Sequence, residues 1–502
     1  MNVTQTDMAT VLALAEKPGA TLCTHSGEAG KGDIFVSLPK AASTGLNGPD
    51  YTDAQQYLTR AVCAGVSHII CTQSVFDAAG VEEAATGPLG VTVVDDPRTA
   101  LGELAKAHYK TDRSSIGILG ITGTNGKTTS TYLLEAIVKA AGKTPGVVGT
   151  VEYRWPGHEE VSPLTTPDCL RLHSMLASMW AAGVDTAIME LSSHSIDQNR
   201  VAGLSFAGAI FTNLTQDHLD YHRDMEDYFS AKAKLFTSRE KGGLASLDTA
   251  LVVNLDDTYG ERLFVANDAI IGFSLQRGGD RVVHGTILEQ GRDGLHLRMA
   301  YAGDSWELRS PLVGAFNAAN LMGVQALTLA LGFGRKPLQA LESFAGVPGR
   351  LERVNNPQGL SIFVDYAHTP DALQKALQAL RGAKFERIVT VFGCGGNRDR
   401  TKRPLMGKTA ATLSDVVVVT SDNPRREDCL AILADIRLGL GGARNVIEEV
   451  DRKKAIGLAL DVLKPGDALL IAGKGHEPYQ IIGDTKYPFS DQQVVREYLG
   501  CV

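Results

Sequence analysis

Cysteine is sparse in this chain and follows no pattern. The seven residues, Cys23, Cys63, Cys71, Cys169, Cys394, Cys429 and Cys501, are scattered and odd in number. No Cys-x-x-Cys pair occurs, so neither a zinc site nor a disulfide framework is indicated. No stretch reaches about 18 uninterrupted apolar residues, so no membrane-spanning segment is expected. The opening residues, Met1 to Asp7, lack a basic region followed by an apolar core, and no signal peptide is expected. A basic excess is also missing. The net charge of −8 argues against a nucleic-acid partner held by general electrostatics, and leaves room for local phosphate pockets. There is no internal repeat and no low-complexity tract. What is present is a chain of 502 residues, 44% apolar and 21% charged, enough for about three domains with substantial cores. A reducing, cytoplasmic setting fits this composition.

The most informative stretch runs Gly120-Ile121-Thr122-Gly123-Thr124-Asn125-Gly126-Lys127-Thr128-Thr129-Ser130. It follows a short apolar run over 115–119 and precedes apolar residues at helical spacing: Tyr132, Leu133, Leu134, Ile137 and Val138. Strand, glycine-rich turn and helix in that order build a phosphate cradle. The glycines let backbone N–H groups turn inward, and the helix N-terminus adds the positive end of its dipole. Lys127 can reach the outer phosphates, and the Thr128 hydroxyl can ligate Mg²⁺. The chain is therefore expected to bind ATP or GTP.

The pattern predicts an α/β protein of three domains. Residues 1–112 read as a small α/β domain with strands near 33–37, 67–71 and 90–94. The polar link 110–114 leads into a central domain, 113–346, with apolar strands at 186–189, 206–211 and 250–254 in a mostly parallel sheet. Residues 270–312 alternate with glycines between and read as antiparallel strands; a helix then opens at 314–320. After the break at Gly346-Val347-Pro348-Gly349 comes a Rossmann-like domain, 347–502, of four strand–helix units. Their strands are expected at 361–364, 387–392, 415–420 and 467–472, each ending in a polar or glycine-rich loop. Ligands of open parallel sheets bind at the carboxyl ends of the strands.

Several constellations sit at such ends. Glu190 closes an apolar strand in the same sheet as the phosphate loop, a place that suits a Mg²⁺ ligand. The dense polar run from Ser192 to Arg200 offers Arg200 to an anionic substrate. Asn213 to His222 packs two histidines and two aspartates into one loop near the phosphate site, a cluster suited to metal or substrate contact. Three loops, 393–399, 421–425 and 473–477, each follow a strand and can converge on one pocket. They supply Arg398, Asp422, Asn423, Arg425, Gly473 and Glu477. That mix of cations and carboxylates suits a zwitterionic amino acid bearing an extra carboxylate.

The Gly-x-Thr-Gly-Thr-x-Gly-Lys-Thr-Thr form of the phosphate loop resembles that of the Mur ligases, ATP-dependent amide-bond-forming enzymes of peptidoglycan synthesis; folylpolyglutamate synthases share a related loop. The order of the other motifs extends the resemblance over all three domains. It implies nucleotide contacts from Gly123, Thr124, Asn125, Gly126, Lys127, Thr128 and Thr129, and from Asn317 and Asn320 at a helix start. Arg350 is implied at the γ-phosphate, and Asp365 at the ribose. His218, in the Asp-His-x-Asp pattern, is implied as a metal ligand with Thr128 and Glu190. A lysine in the place of Lys232 is carbamylated by CO₂ in this family, giving an anion that ligates or orients a second Mg²⁺. Lys234 is the competing position, and spacing from Tyr228 favours Lys232. Lys127, Lys232, His218 and Glu190 are thus the implied catalytic set. Ser26, Thr165, Thr166, Ser192, Gln198 and Arg200 are implied contacts of a UDP-linked peptide. The first domain departs from the family pattern: where Asp-Ser-Arg is usual, it reads His25-Ser26-Gly27.

The run Asp422-Asn423-Pro424-Arg425 has the form seen in family members that add meso-diaminopimelate. The resemblance therefore implies transfer of that amino acid onto the D-glutamate side chain of a UDP-muramoyl dipeptide through an acyl phosphate. It implies ATP as co-substrate, Mg²⁺ as cofactor and a monomer. An enzyme of the same superfamily adding L-lysine or another amino acid is the alternative. A P-loop switch or motor ATPase is the rival of a different class, and it would need no second-substrate pocket.

Overall fold

The computed structural model describes residues 3–39, 53–441 and 445–501, and the chain forms two compact units. The first comprises residues 1–273 with 323–337; the second comprises 274–322 with 338–502.

The first unit opens with an all-parallel sheet in the order Val3–Gln5, Leu89–Val93, His68–Cys71, Ile34–Val36, Leu22–Cys23. The three expected strands are there. The two outermost, of three and two residues, are too short to show periodicity. Helix Pro97–Tyr109 leaves this layer and packs on helix Cys169–Ala181. Gly102 permits that approach, because a Cβ there would collide with Ala202. His173 fastens the same seam. It is fully buried, with Nδ1 paired to the Thr111 hydroxyl at 2.7 Å and Nε2 to the Ala202 carbonyl at 2.9 Å.

A second sheet of the first unit runs Ile271–Ser274, Ala250–Asn254, Phe206–Phe211, Gly117–Thr122, Thr186–Glu190, Pro145–Val148, Glu152–Trp155, His158–Val161. It is parallel from Ile271–Ser274 to Pro145–Val148, and its last two strands add an antiparallel edge. The phosphate-loop strand sits two residues later than its apolar run suggested. Ile271–Ser274, expected to be antiparallel, instead pairs parallel with Ala250–Asn254. The reason is helix Thr258–Ala266 between them, which completes a strand–helix–strand crossover.

In the second unit Val282–Gly291, Gly294–Tyr301 and Asp304–Ser310 form the expected antiparallel strands. The carboxy-terminal sheet has the order Glu352–Arg353, Ser361–Asp365, Ala468–Ala472, Ile388–Phe392, Val416–Val419, Val446–Glu448. It is parallel except for its first short strand. Ala468–Ala472, the last of these in the chain, lies between Ser361–Asp365 and Ile388–Phe392, and the loops after residues 365, 392, 419 and 472 all leave the same edge. A small antiparallel hairpin, Tyr479–Ile482 with Thr485–Pro488, follows.

Beneath that edge lies a fully buried ion pair. Arg452 donates from Nε and Nη2 to the two oxygens of Asp491, each at 2.8 Å. It also reaches the carbonyls of Ala472 at 3.0 Å and Ser421 at 3.5 Å, the residues just before Gly473 and Asp422. Arg452→Met would leave Asp491 buried without its partner, a change expected to cost about 3–5 kcal/mol. Urea unfolding should show that loss, and Arg452→Met/Asp491→Leu should recover most of it. Unchanged stability in the single variant would contradict the role given to the pair.

Candidate functional site

Strand register assembles the phosphate end. Glu190 pairs across from Ile121, and Phe211 from Thr122, so three strands finish side by side. The loop between Thr122 and Lys127 is then clamped by residues following Phe211. The Thr124 and Asn125 N–H groups donate to the Asn213 carbonyl at 2.9 Å and the Asn213 side-chain oxygen at 3.0 Å. The Thr212 hydroxyl donates to the Asn125 carbonyl at 2.6 Å. Thr124 Oγ1 lies 3.1 Å from the Tyr228 hydroxyl. Gly123 has φ of 143°, where a side chain is strained and would also strike Thr212. Gly126 has φ of 87° and leads into helix Lys127–Ala140. Lys127 Nζ donates to the carbonyls of Gly123 and Thr124, both at 2.9 Å. Thr129 is buried on the first turn.

Glu190 is 1% exposed and heavily engaged. Its Oε2 accepts from the Thr128 hydroxyl at 3.0 Å and the Thr150 hydroxyl at 2.9 Å, and its Oε1 from the Thr150 N–H at 3.0 Å. Carboxylate and hydroxyl oxygens are the donors that magnesium takes, usually with phosphate and water completing the shell. The residues present fit that ion. Among the described residues no group of three or more His, Cys, Asp or Glu stands close enough to hold a metal.

Most of the expected peptide contacts gather around Thr150, Thr166 and the Glu190 main chain rather than on its carboxylate. Thr165 Oγ1 lies 3.2 Å from Thr150 Oγ1, and the Thr166 hydroxyl donates to the Glu190 carbonyl at 2.8 Å. The Ser192 N–H reaches Thr166 Oγ1 at 3.3 Å, and Ser192 Oγ caps the short helix Ser193–Asp197. Arg200 donates to the Thr166 carbonyl at 2.9 Å and to Gln198 Oε1 at 3.0 and 2.8 Å. Ser26 is buried in the amino-terminal layer.

Lys232 is 1% exposed, with Nζ 3.1 Å from the Gly123 carbonyl and 4.8 Å from the centre of the Tyr228 ring. Burial, reinforced by the charge of Lys127, holds its amine well below the usual lysine range. Lys234, the competing lysine, is instead half-exposed and lies 3.6 Å from Asp197. His218 has φ of 54° and its ring edge faces His194 and Tyr228. Burial lowers its pKa, Asp217 opposes that shift, and Lys127 and Lys232 add to it. His194, against Tyr221, His218 and His222, is pushed down to about 4, chiefly by burial.

The remaining expected residues belong to the second unit. Asn317 and Asn320 are buried and bonded to each other at 3.2 Å, and the Asn317 amide donates to the Val313 carbonyl at 2.9 Å. Asp365 accepts the Leu351 N–H at 2.6 Å and the Ala367 N–H at 2.8 Å; burial raises its pKa and Arg350 opposes the rise. The Arg350 guanidinium lies 4.9 Å from the centre of the Tyr366 ring.

Three loops do converge at the edge of the carboxy-terminal sheet. Gly396 N–H donates to the Asn423 carbonyl, and Arg425 Nη1 to the Gly396 carbonyl, both at 2.9 Å. Arg425 has φ of 53° and is tied to the hairpin: its N–H meets the Ile481 carbonyl at 3.0 Å, and its carbonyl takes the Gly483 N–H at 2.7 Å. Asn423 Nδ2 donates to Glu477 Oε2 at 2.9 Å. Asp422 is buried against Gly473, whose φ of 115° and lack of Cβ allow the carboxylate to approach. Arg398 stands exposed at the rim. A cavity of about 400 Å³ beside Arg425 is lined also by Asn397, Arg426, Ile481, Gly483, Asp484 and Lys486. Three participants were not singled out from the sequence: Thr150, Asn213 and Lys474. Thr150 and Asn213 carry no pattern beyond following a strand, whereas Lys474 lies within a recognised loop but is not among the residues drawn from it.

A phosphate loop feeding a carboxylate-bearing parallel sheet, with three polar loops gathered at the edge of the carboxy-terminal sheet, fits a nucleotide-dependent α/β enzyme. Residues 121–328 match the Mur ligase middle domain, and residues 349–475 match the Mur ligase glutamate ligase domain. Over 489 residues the chain is 50% identical to the UDP-N-acetylmuramoyl-L-alanyl-D-glutamate–2,6-diaminopimelate ligase of Lawsonia intracellularis, covering 97% of each. The ligase of that name from Gloeobacter violaceus is 43% identical over 96% of this chain and 94% of its own. A solved structure of a ligase of that name is similar with a TM-score of 0.69 at 30% identity, covering 96% of this chain and 94% of its own. The chain belongs to the Mur ligase family.

Proposed function

We infer that this protein joins meso-diaminopimelate to the D-glutamate side-chain carboxylate of UDP-N-acetylmuramoyl-L-alanyl-D-glutamate, with ATP converted to ADP and phosphate, in the synthesis of peptidoglycan precursors. The carrying observation is half-identity over nearly the whole length to a ligase of that name. The Asp422–Arg425 loop, seated against Gly396 and Ile481, agrees with it. Residues 1–112 are assigned to the UDP-sugar end, with Ser26 toward uridine, residues 113–346 to ATP, and residues 347–502 to the amino acid. Among the described residues no helix is long and apolar enough to cross a membrane. The cytoplasm, where ATP and nucleotide sugars reside, is the proposed setting, and a monomer the proposed state.

In the first step a glutamate carboxylate oxygen bonds to the γ-phosphorus, the bond to the β,γ-bridging oxygen breaks, and ADP leaves. In the second, the amine attacks the acyl-phosphate carbonyl and phosphate departs. The chemistry brings an anion up to a polyphosphate, so charge compensation is its main demand. Lys127 and the N–H groups of 126–129 at the helix start would meet the phosphates. Magnesium held by Glu190 and Thr128, and by His218 with a modified Lys232, would neutralise further charge. Asn317, Asn320, Arg350 and Asp365 are assigned to the nucleotide. Thr165, Thr166, Ser192, Gln198 and Arg200 would orient the peptide carboxylate.

Lys232 suits carbamylation. Only a neutral amine adds to CO₂, and burial beside Lys127 favours the neutral form of this one. The carbamate would place an anion next to the Lys127 cation. Lys232→Ala should lose at least about 100-fold in rate and regain part of it with added short carboxylates. Full activity in Lys232→Ala, with loss in Lys234→Ala, would move the role to the other lysine.

Arg425 is the proposed reader of the second carboxylate of diaminopimelate. A guanidinium makes paired, charge-assisted bonds to that group, whereas lysine brings none and leaves the arginine partly desolvated. A site built this way rejects the analogue by about 10⁴, roughly 5 kcal/mol. The wild-type protein should show that ratio in kcat/KM for the two amino acids, and Arg425→Ala should shrink it while sparing ATP and UDP-dipeptide use. Comparable values with the wild type would favour the lysine-adding alternative.

A further inference from the structure

We propose that Lys474 is a positioning residue for the amino-acid substrate, acting through Asn423 and Glu477; this rests on reading that pocket as the diaminopimelate site. Lys474 follows Gly473 at the end of strand Ala468–Ala472, and its side chain is fully buried. A buried ammonium is costly unless paired and hydrogen-bonded. Here Nζ lies 3.1 Å from Asn423 Oδ1 and 3.3 Å from Glu477 Oε2, with the Tyr479 ring centre 5.7 Å away.

The arrangement determines which way Asn423 faces. Its Oδ1 receives Lys474 Nζ and the Ile481 N–H at 2.9 Å, and both of those groups can only donate. A flipped amide would set its NH₂ against two donors. Nδ2 is therefore turned to Glu477, where it donates to the same Oε2 that Lys474 contacts. Two donors converge on one carboxylate oxygen and hold the Glu477 side chain in a single orientation. Oε1 takes no part in that clamp and is the oxygen assigned to an ammonium of the substrate. Lys474 thus sets the geometry of two recognition groups while touching neither phosphate nor peptide.

Steady-state kinetics of the wild type, Lys474→Met, Glu477→Gln and Lys474→Met/Glu477→Gln provide the test. Wild-type use of diaminopimelate checks the functional reading itself, independently of the variants. In Lys474→Met the KM for diaminopimelate should rise about tenfold or more, with KM for ATP and UDP-dipeptide within about twofold. The double variant should lose less than the two single losses combined, because part of the lysine's effect runs through that carboxylate. The double variant also removes both charges together, so it serves if Lys474→Met does not fold. Losses that add fully, a KM for ATP that rises equally, or failure of both Lys474 variants to fold would overturn the proposal and leave Lys474 a core residue.

Discussion

The parallel register of three neighbouring strands is the constraint on which the first unit depends. Gly117–Thr122 lies between Thr186–Glu190 and Phe206–Phe211, and all three end at one level. Each end delivers one component: a nitrogen-lined turn, a carboxylate, and the Thr212–Asn213 brace that holds the turn. A shift of one residue in Thr186–Glu190 would send Glu190 to the opposite face of the sheet. The phosphate loop itself contributes few side chains, so its shape rests on hydrogen bonds from its neighbour rather than on its own packing.

The second unit solves a similar problem with buried charge. Arg452 lies under the strand ends, and Lys474 lies between the loops that follow them. Arg403, also fully buried, links the 393–399 loop to the 421–428 region by donating to the Gly395 carbonyl at 3.3 Å and to Glu427 at 2.9 Å. Apolar residues would be cheaper in these places. A cation with several donors can, however, tie carbonyls and carboxylates from separate loops together, which an apolar side chain cannot do. The loops gathered this way come from sheet positions far apart in sequence, 393, 422 and 473, and the cations add to the direct bonds between them, such as Gly396 to Asn423 and Asn423 to Glu477.

Much of this was legible in the sequence, for identifiable reasons. Phe206–Phe211 and Ala250–Asn254 are continuous apolar runs bounded by polar turns, and they form where expected. Pro145–Val148 is absent from the expected strands, its apolar run being short and opening with proline and glycine, yet it is a buried strand paired to Thr186–Met189. The alternating region beginning at residue 270 hid a parallel strand, since alternation does not reveal which neighbour a strand takes. The glycine-rich loop and the carboxylate after a strand were visible because chemistry restricts the residues that can occupy them. Lys474 and Arg452 were invisible as buried groups: a lone cation in sequence looks solvated, and only the folded neighbours show that it is not.

The central claim is that nucleotide cleavage here is coupled to joining two substrates. Phosphate release from ATP, followed with each combination of UDP-N-acetylmuramoyl-L-alanyl-D-glutamate and meso-diaminopimelate, tests it most directly. The account predicts steady release only with both present, one phosphate for each amide bond formed. Equal release from ATP alone would contradict it and point to a switch or motor ATPase.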